Sequence, residues 1–263
     1  MTNVLLYAGA GLLVGTMVGL TGVGGGSMMT PILMLLFGQS PSVAVGTDLL
    51  FAATTKLVAT ASFGVSRRVD WPIVGRLLLG SIPGSAAVVL ALWFARHTPT
   101  VADALTLHAI AIILLVTAVA LVFQSQLQRV GVKLSARALV RVERHKLLLT
   151  TLAGLTLGVA ITLTSVGAGA LGVVMLVALY PLRLSADRLV ATDIAHALPV
   201  TLIAGCGHAL LGHVNFNVLA LLLLGSIPGV LIASRISIRL PARITRILIA
   251  VMLGTVSERL LFA

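Results

Sequence analysis

Apolar residues fill long stretches of this 263-residue chain, and polar positions are confined to short intervals between them. The pattern predicts ten helical segments, at 4–20, 27–37, 45–65, 72–95, 104–123, 147–163, 170–180, 188–212, 217–236 and 243–262. Eight reach the roughly 17–25 residues a helix needs to cross a hydrocarbon core. The other two, 27–37 and 170–180, are too short to cross unaided. Each follows a break in small residues, Gly22-Val23-Gly24-Gly25-Gly26 and Ser165-Val166-Gly167-Ala168-Gly169. The breaks read as interrupted or re-entrant helices. Such backbone is tolerated at membrane depth only when it is buried in protein or lines a cavity.

Composition agrees with that reading. The chain is 59% hydrophobic and 10% charged, with a mean hydropathy of +1.14. A soluble domain carries about 25% charged residues, so a soluble enzyme, a disordered chain and a nucleic-acid-binding domain are excluded. The apolar stretches are too continuous for a β-barrel, and 7 Phe, 2 Trp and 2 Tyr are too few for its aromatic girdles. A single cysteine, Cys206, permits no intrachain disulfide and no cysteine-clustered metal site. The Val4–Leu20 stretch lacks a basic leader region, and we expect it to be a membrane segment. The expected fold is therefore an all-α polytopic membrane protein whose surroundings are the lipid bilayer.

The net charge of +11 lies mostly in loops. Segment 124–146 carries Arg129, Lys133, Arg137, Arg141, Arg144 and Lys146 against Glu143 alone. The positive-inside rule places it in the cytoplasm. Counting crossings outward from it places Arg67, Arg68, Arg183, Arg188, Arg235, Arg239 and Arg243 inside as well. Both termini then face the periplasm. The four-residue spacing of Arg129, Lys133, Arg137 and Arg141 fits an amphipathic helix on the inner leaflet, and a solvated basic linker fits equally.

The chain also repeats itself. A shift of 145 residues aligns 46–84 with 191–229 without a gap, with 14 of 39 positions identical. Thr47-Asp48 falls on Thr192-Asp193, and Gly80-Ser81-Ile82-Pro83-Gly84 on Gly225-Ser226-Ile227-Pro228-Gly229. The first repeat spans 1–123, the basic linker 124–146 and the second repeat 147–263. The loop after the first Thr-Asp helix is basic and its counterpart, with His213 and Asn215, is not. Two inverted-topology repeats of about five segments each account for this. Inverted repeats with broken helices at matching places are typical of secondary transporters that bind substrate near the midplane.

Candidate chemistry concentrates at those places. Half-helices starting after each break aim free N–H groups and a positive dipole end at the gap, which suits an anion. Thr21, Gly22, Gly24, Gly25, Gly26 and Ser27 at the first break, with Ser165, Gly167 and Gly169 at the second, are the expected binding residues. Close helix packing through small residues is the competing reading. Lys56 lies mid-helix, where a buried ammonium is costly, and is the best candidate counter-charge. Asp48 and Asp193 begin their segments and read either as helix caps or as coupling residues. His196, one turn from Asp193, reads as a proton-sensitive partner or as a packed, hydrogen-bonded histidine. The glycine string lacks the Gly-Lys-Ser/Thr of a nucleotide loop, and no catalytic motif accompanies it. No enzyme activity, cofactor or metal is expected.

Taken together, Thr21-Gly22-Val23-Gly24-Gly25-Gly26-Ser27, Gly46-Thr47-Asp48 and the repeated Gly-Ser-Ile-Pro-Gly resemble the sulfite exporter TauE/SafE family. The resemblance implies a small bacterial inner-membrane protein exporting sulfite, sulfoacetate or related organosulfonates. It favours the Gly22–Gly26 break and Thr47-Asp48, with Ser165–Gly169 and Thr192-Asp193 as unequal counterparts. The expected activity is secondary export of small sulfur-containing anions by alternating access. Membrane potential, or proton coupling through Asp48, Asp193 or His196, would drive it. A passive anion channel and a membrane-embedded assembly factor are the alternatives. Monomer and homodimer both remain open.

Overall fold

A computed structural model of the chain describes residues 2–21, 26–63, 68–95, 145–166, 169–180 and 183–235, with scattered positions at 111–119 and beyond 250. Eight helices organise them: α1 Thr2–Thr21, α2 Gly26–Leu35, α3 Pro41–Phe63, α4 Trp71–Ala95, α5 Lys146–Thr164, α6 Ala170–Leu179, α7 Ala186–Leu210 and α8 Phe216–Arg235. No strand occurs among the described residues. Each helix coincides with a predicted segment to within a few residues. The predicted segments 104–123 and 243–262 fall largely outside the described residues, as does the basic linker 124–146 except for its last two positions.

Among the described residues five helices are long and apolar enough to cross a membrane: α3, α4, α5, α7 and α8. α2 and α6 have 10 residues each, about 15 Å of rise against a core of about 30 Å. Large apolar side chains stay exposed on the outer helix faces, among them Leu5, Leu79, Phe94, Leu210 and Leu224. In water this surface would be a liability, whereas in hydrocarbon it carries no penalty.

Local chemistry sets the helix ends. Gly38 and Gly212 have φ of +60° and +76°, the left-handed conformation that ends a helix at least cost in glycine. There Gln39 N–H donates to Leu33 O, and His213 N–H to His208 O. Asn215 opens α8 by accepting Val218 N–H on its side chain at 3.1 Å.

The helices pair across the repeat. Gly11, Gly15 and Gly19 of α1 lie on the backbone of Leu222, Ser226 and Val230 of α8. Gly154 and Gly158 of α5 lie in the same way on Leu77 and Ser81 of α4. The repeated Gly-Ser-Ile-Pro-Gly supplies the other side of both seams. A Cβ at Gly84 would lie 2.8 Å from Leu155 O, and one at Gly229 would lie 2.7 Å from Leu12 O. Without an aqueous driving force inside a membrane, such close backbone approach is how helices gain contact. Pro83, Pro199 and Pro228 lie inside helices that continue past them.

The core divides accordingly into two bodies. One gathers Val14 and Val18 of α1, Met29 and Leu33 of α2, Phe51 of α3, and Leu222 and Val230 of α8. The other gathers Ile73 and Leu77 of α4, Leu157 and Ile161 of α5, Leu176 of α6, and Ala197 and Val200 of α7. Among the described helices, each body takes three from one repeat and a fourth from the other. They meet mainly along α3 and α7, where Val45 and Leu49 of α3 reach into the second core. These two repeat mates run antiparallel. Thr47, near the start of α3, accepts Asn215 N–H at 3.0 Å, and Thr192, near the start of α7, accepts Asp70 N–H at 3.1 Å.

Candidate functional site

A polar cluster lies in the seam between the two bodies. Asp48 and Lys56 project from α3, Asp193 and His196 from α7, and all four are buried. Asp48 Oδ2 accepts two hydrogen bonds from α2, from Thr30 N–H at 3.0 Å and Thr30 Oγ1–H at 2.6 Å. Ser165 of the second break reaches the carboxylate from the opposite body. Neither Ser165 Oγ nor Asp48 Oδ1 has a properly aligned hydrogen-bond partner. Lys56 interacts electrostatically with Asp193 first and Asp48 second. Ser165 with Asp48 and Lys56 with Asp193 are thus two polar links between the bodies.

Two helices flank the second break. α5 stops at Thr164, and Ser165 takes φ 56° while its N–H still reaches Ile161 O. It is the single non-glycine residue with positive φ among the described residues. A left-handed residue other than glycine costs of order 1–3 kcal/mol and tends to occur where function over-determines the backbone. Thr164 closes the turn, its hydroxyl accepting Val166 N–H at 3.1 Å. α6 restarts at Ala170 behind Gly169, whose φ is 123°. The first N–H groups of α6 therefore face the break without helical partners.

Several expectations change in detail. The aspartates do not cap their own helices: α3 begins at Pro41 and α7 at Ala186, so Asp48 and Asp193 lie about two turns inside. Asp48 instead takes the Thr30 N–H of α2. His196 bonds to Ser81 Oγ of α4 at 2.9 Å, so the packed, hydrogen-bonded reading of this histidine matches the structure. Ser165 and Lys56 lie in the same cluster as Asp48 and Asp193. Gly22, Gly24, Gly25 and Gly167 lie outside the described residues. Thr21 ends α1, Gly26 and Ser27 begin α2, and Gly169 precedes α6.

Two contributors escaped sequence reasoning. Thr30 lies in an apolar decapeptide three residues after Ser27, and only the fold turns it toward Asp48. Ser81 belongs to the repeated glycine motif, yet its partner His196 is 115 positions away. His208 donates from Nε2 to Thr162 O at 2.9 Å, because a carbonyl can only accept. Its ring is 5.5 Å from that of His213.

A second cluster closes one end of the α4–α5–α6–α7 body. Asp70 is buried and accepts two parallel bonds from Arg183, Nε at 3.0 Å and Nη2 at 3.1 Å. Arg188 stands 3.8 Å away. Tyr180 shares a 2.8 Å hydrogen bond with Thr150 and lies beneath Lys146. Asn215 occupies the equivalent of Asp70 in the second repeat and, being neutral, makes no ion pair.

Comparison with known proteins extends the picture. A family model described as "Sulfite exporter TauE/SafE" matches residues 7–260. "Probable membrane transporter protein YjnA" of Bacillus subtilis is 38% identical over 235 residues, covering 89% of this chain and 90% of that protein. "Probable membrane transporter protein YunE" of the same organism is 41% identical over 58 residues, 22% of this chain and 21% of that protein. No solved structure gives a significant match.

Proposed function

The chain belongs to the TauE/SafE family of membrane transporters, and from that membership we propose that it is a secondary exporter of small sulfur-containing anions. The observation that carries the proposal is the seam cluster. A lysine and two aspartates are buried in an apolar bundle, at the junction of two repeat-related bodies and beside a broken helix. Ionisable groups at that depth are retained for ligand or ion handling rather than stability. In our reading the anion sits against Lys56, the Ser165 hydroxyl and the first N–H groups of α6. The Gly22–Gly26 break supplies the second half of the site. The substrate class, sulfite, sulfoacetate or a related organosulfonate, follows the family.

Alternating access then has a specific geometry. The rocking units are the two cross-repeat bodies rather than the halves of the chain, because the glycine seams lock α1 to α8 and α4 to α5. Movement along α3 and α7 would break and remake the Asp48–Ser165 and Lys56–Asp193 links, exposing the site to each side in turn. Inverted topology is supported by the antiparallel pairing of repeat mates, since a two-fold axis relating them crosses the helix direction. An inside-negative potential drives anions outward at about 2.3 kcal/mol per charge per 100 mV.

The test is flux in proteoliposomes loaded with sulfite, sulfoacetate, thiosulfate, sulfate or taurine. We expect saturable efflux of one or more sulfur anions, accelerated by the same anion on the other side. Unsaturable flux without exchange would make the protein a channel. No flux of any sulfur anion would remove the substrate assignment.

A further inference from the structure

The buried charges at the seam do not balance, and the excess falls on one oxygen atom. Lys56 offsets one carboxylate, Asp193 before Asp48. Asp48 keeps the weaker share of Lys56 and two aligned donors, both from Thr30 and both on Oδ2. Its Oδ1 is buried without an aligned hydrogen bond, and Ser165 Oγ, which reaches the carboxylate, likewise makes no aligned one. The neighbouring helices bring little else that is charged. α2 contains no titratable side chain. α1 contributes only Tyr7, stacked on Phe37. The charged residue of α8, Arg235, is its last, and that of α5, Lys146, is its first. α7 brings Asp193 and His196, which act on Lys56, with His196 bonded to Ser81, and it brings His208, which lies with His213 against Gly46 two residues before Asp48 and is bonded to Thr162 O.

A bare carboxylate facing an anion site repels the ligand, and an unpaired buried acceptor carries its full desolvation cost. A single proton on Oδ1 removes both problems. Oδ1–H would donate to Ser165 Oγ, leaving the serine's own hydrogen free to point into the break. The cluster would then be neutral overall, a Lys56–Asp193 pair beside an uncharged acid. We propose that Asp48 is a proton-binding site whose proton, taken from water, enters together with the transported anion. Anion and proton thus cross as a pair, and a dianion still carries one net negative charge outward. This rests on the anion-transporter reading above.

The experiment is calorimetric titration of the purified full-length protein with sulfoacetate, which stays fully ionised near neutral pH. Buffers of different ionisation enthalpy count the protons taken up with each anion. We expect uptake rising from little near pH 6 toward one proton per anion near pH 8, in step with an affinity that weakens toward about tenfold per pH unit on the alkaline side. Asp48→Asn places an amide donor at the Oδ1 position and should bind sulfoacetate without proton uptake and without pH dependence. Wild-type binding without proton uptake overturns the proton site, as does unchanged uptake by Asp48→Asn. Affinity that follows sodium concentration instead of pH assigns a metal cation to this carboxylate and overturns it too. If wild type binds no sulfoacetate, sulfite or thiosulfate at either end of the range, the anion reading itself fails, and this inference with it. Should Asp48→Asn not fold, the wild-type proton count still decides.

Discussion

Gly80→Ala is expected to pry open the seam between α4 and α5. A Cβ at Gly80 would run into Thr151 O and lie 2.6 Å from Leu155 N, both backbone atoms that no rotamer change can move. Ordinary non-bonded contacts sit at about 3.5–4.0 Å, so the helices must separate by roughly 1 Å, and a gap of that size forfeits a quarter to a half of each dispersion contact beside it. Overpacking of this kind costs about 1–3 kcal/mol. Alanine's better helix propensity returns up to about 1 kcal/mol, leaving a net loss of about 1–2 kcal/mol. Gly75, on the same helix with nothing within 4 Å of its added Cβ, is the internal control. Gly75→Ala should be neutral or slightly stabilising. The repeat supplies a second check: at Gly225 the added Cβ meets Ala8 O and lies 2.7 Å from Leu12 N, so Gly225→Ala should match Gly80→Ala. The assay is denaturant or thermal unfolding of the detergent-solubilised protein, with all three variants measured side by side. If Gly80→Ala proves as stable as Gly75→Ala, the seams are not close-packed and the two-body division of the core loses its basis.

Lys56→Met should abolish anion binding and, by leaving Asp193 buried without its cation, cost about 3–5 kcal/mol of stability. Lys56→Met/Asp193→Asn should recover most of the stability and none of the binding, and a double-mutant cycle with a ligand titration checks both. Asp70→Asn should lower stability by about 1–2 kcal/mol, because the bidentate Arg183 contact is lost while one partner is half exposed. It should not prevent folding, since Asn215 already fills the equivalent place, and thermal unfolding reads the difference. Cysteines placed at Ser125 and Thr2 should react with membrane-impermeant reagent from opposite sides of the membrane, and labelling from one side would end the inverted-repeat reading.

The sequence alone carried the helices. Hydropathy reports directly which segments the bilayer will accept, and so the boundaries of α1 to α8 were legible to within a few residues. The two short helices were legible too, because ten apolar residues after a run of small ones cannot span. The repeat was visible as matched Thr-Asp and Gly-Ser-Ile-Pro-Gly strings. Lys56, Asp48 and Asp193 stood out because ionisable groups are rare in such segments. What periodicity could not give was who packs on whom. The small residues of Gly-Ser-Ile-Pro-Gly announce a close contact without naming the partner. Only the tertiary structure shows α8 on α1 and α4 on α5, so that each body borrows a helix from the other repeat. The same holds for the site. Thr30 and Ser81 are unremarkable hydroxyls in the linear chain, since a hydroxyl can satisfy itself on its own helix, and Ser165, legible as part of the second break, gives no sign there of its partner. They become part of a site because helix packing brings them to Asp48 and His196 from 18, 115 and 117 positions away. Local composition determines what the membrane admits. Long-range packing determines which buried polar atoms find partners and which, like Asp48 Oδ1, are left without one.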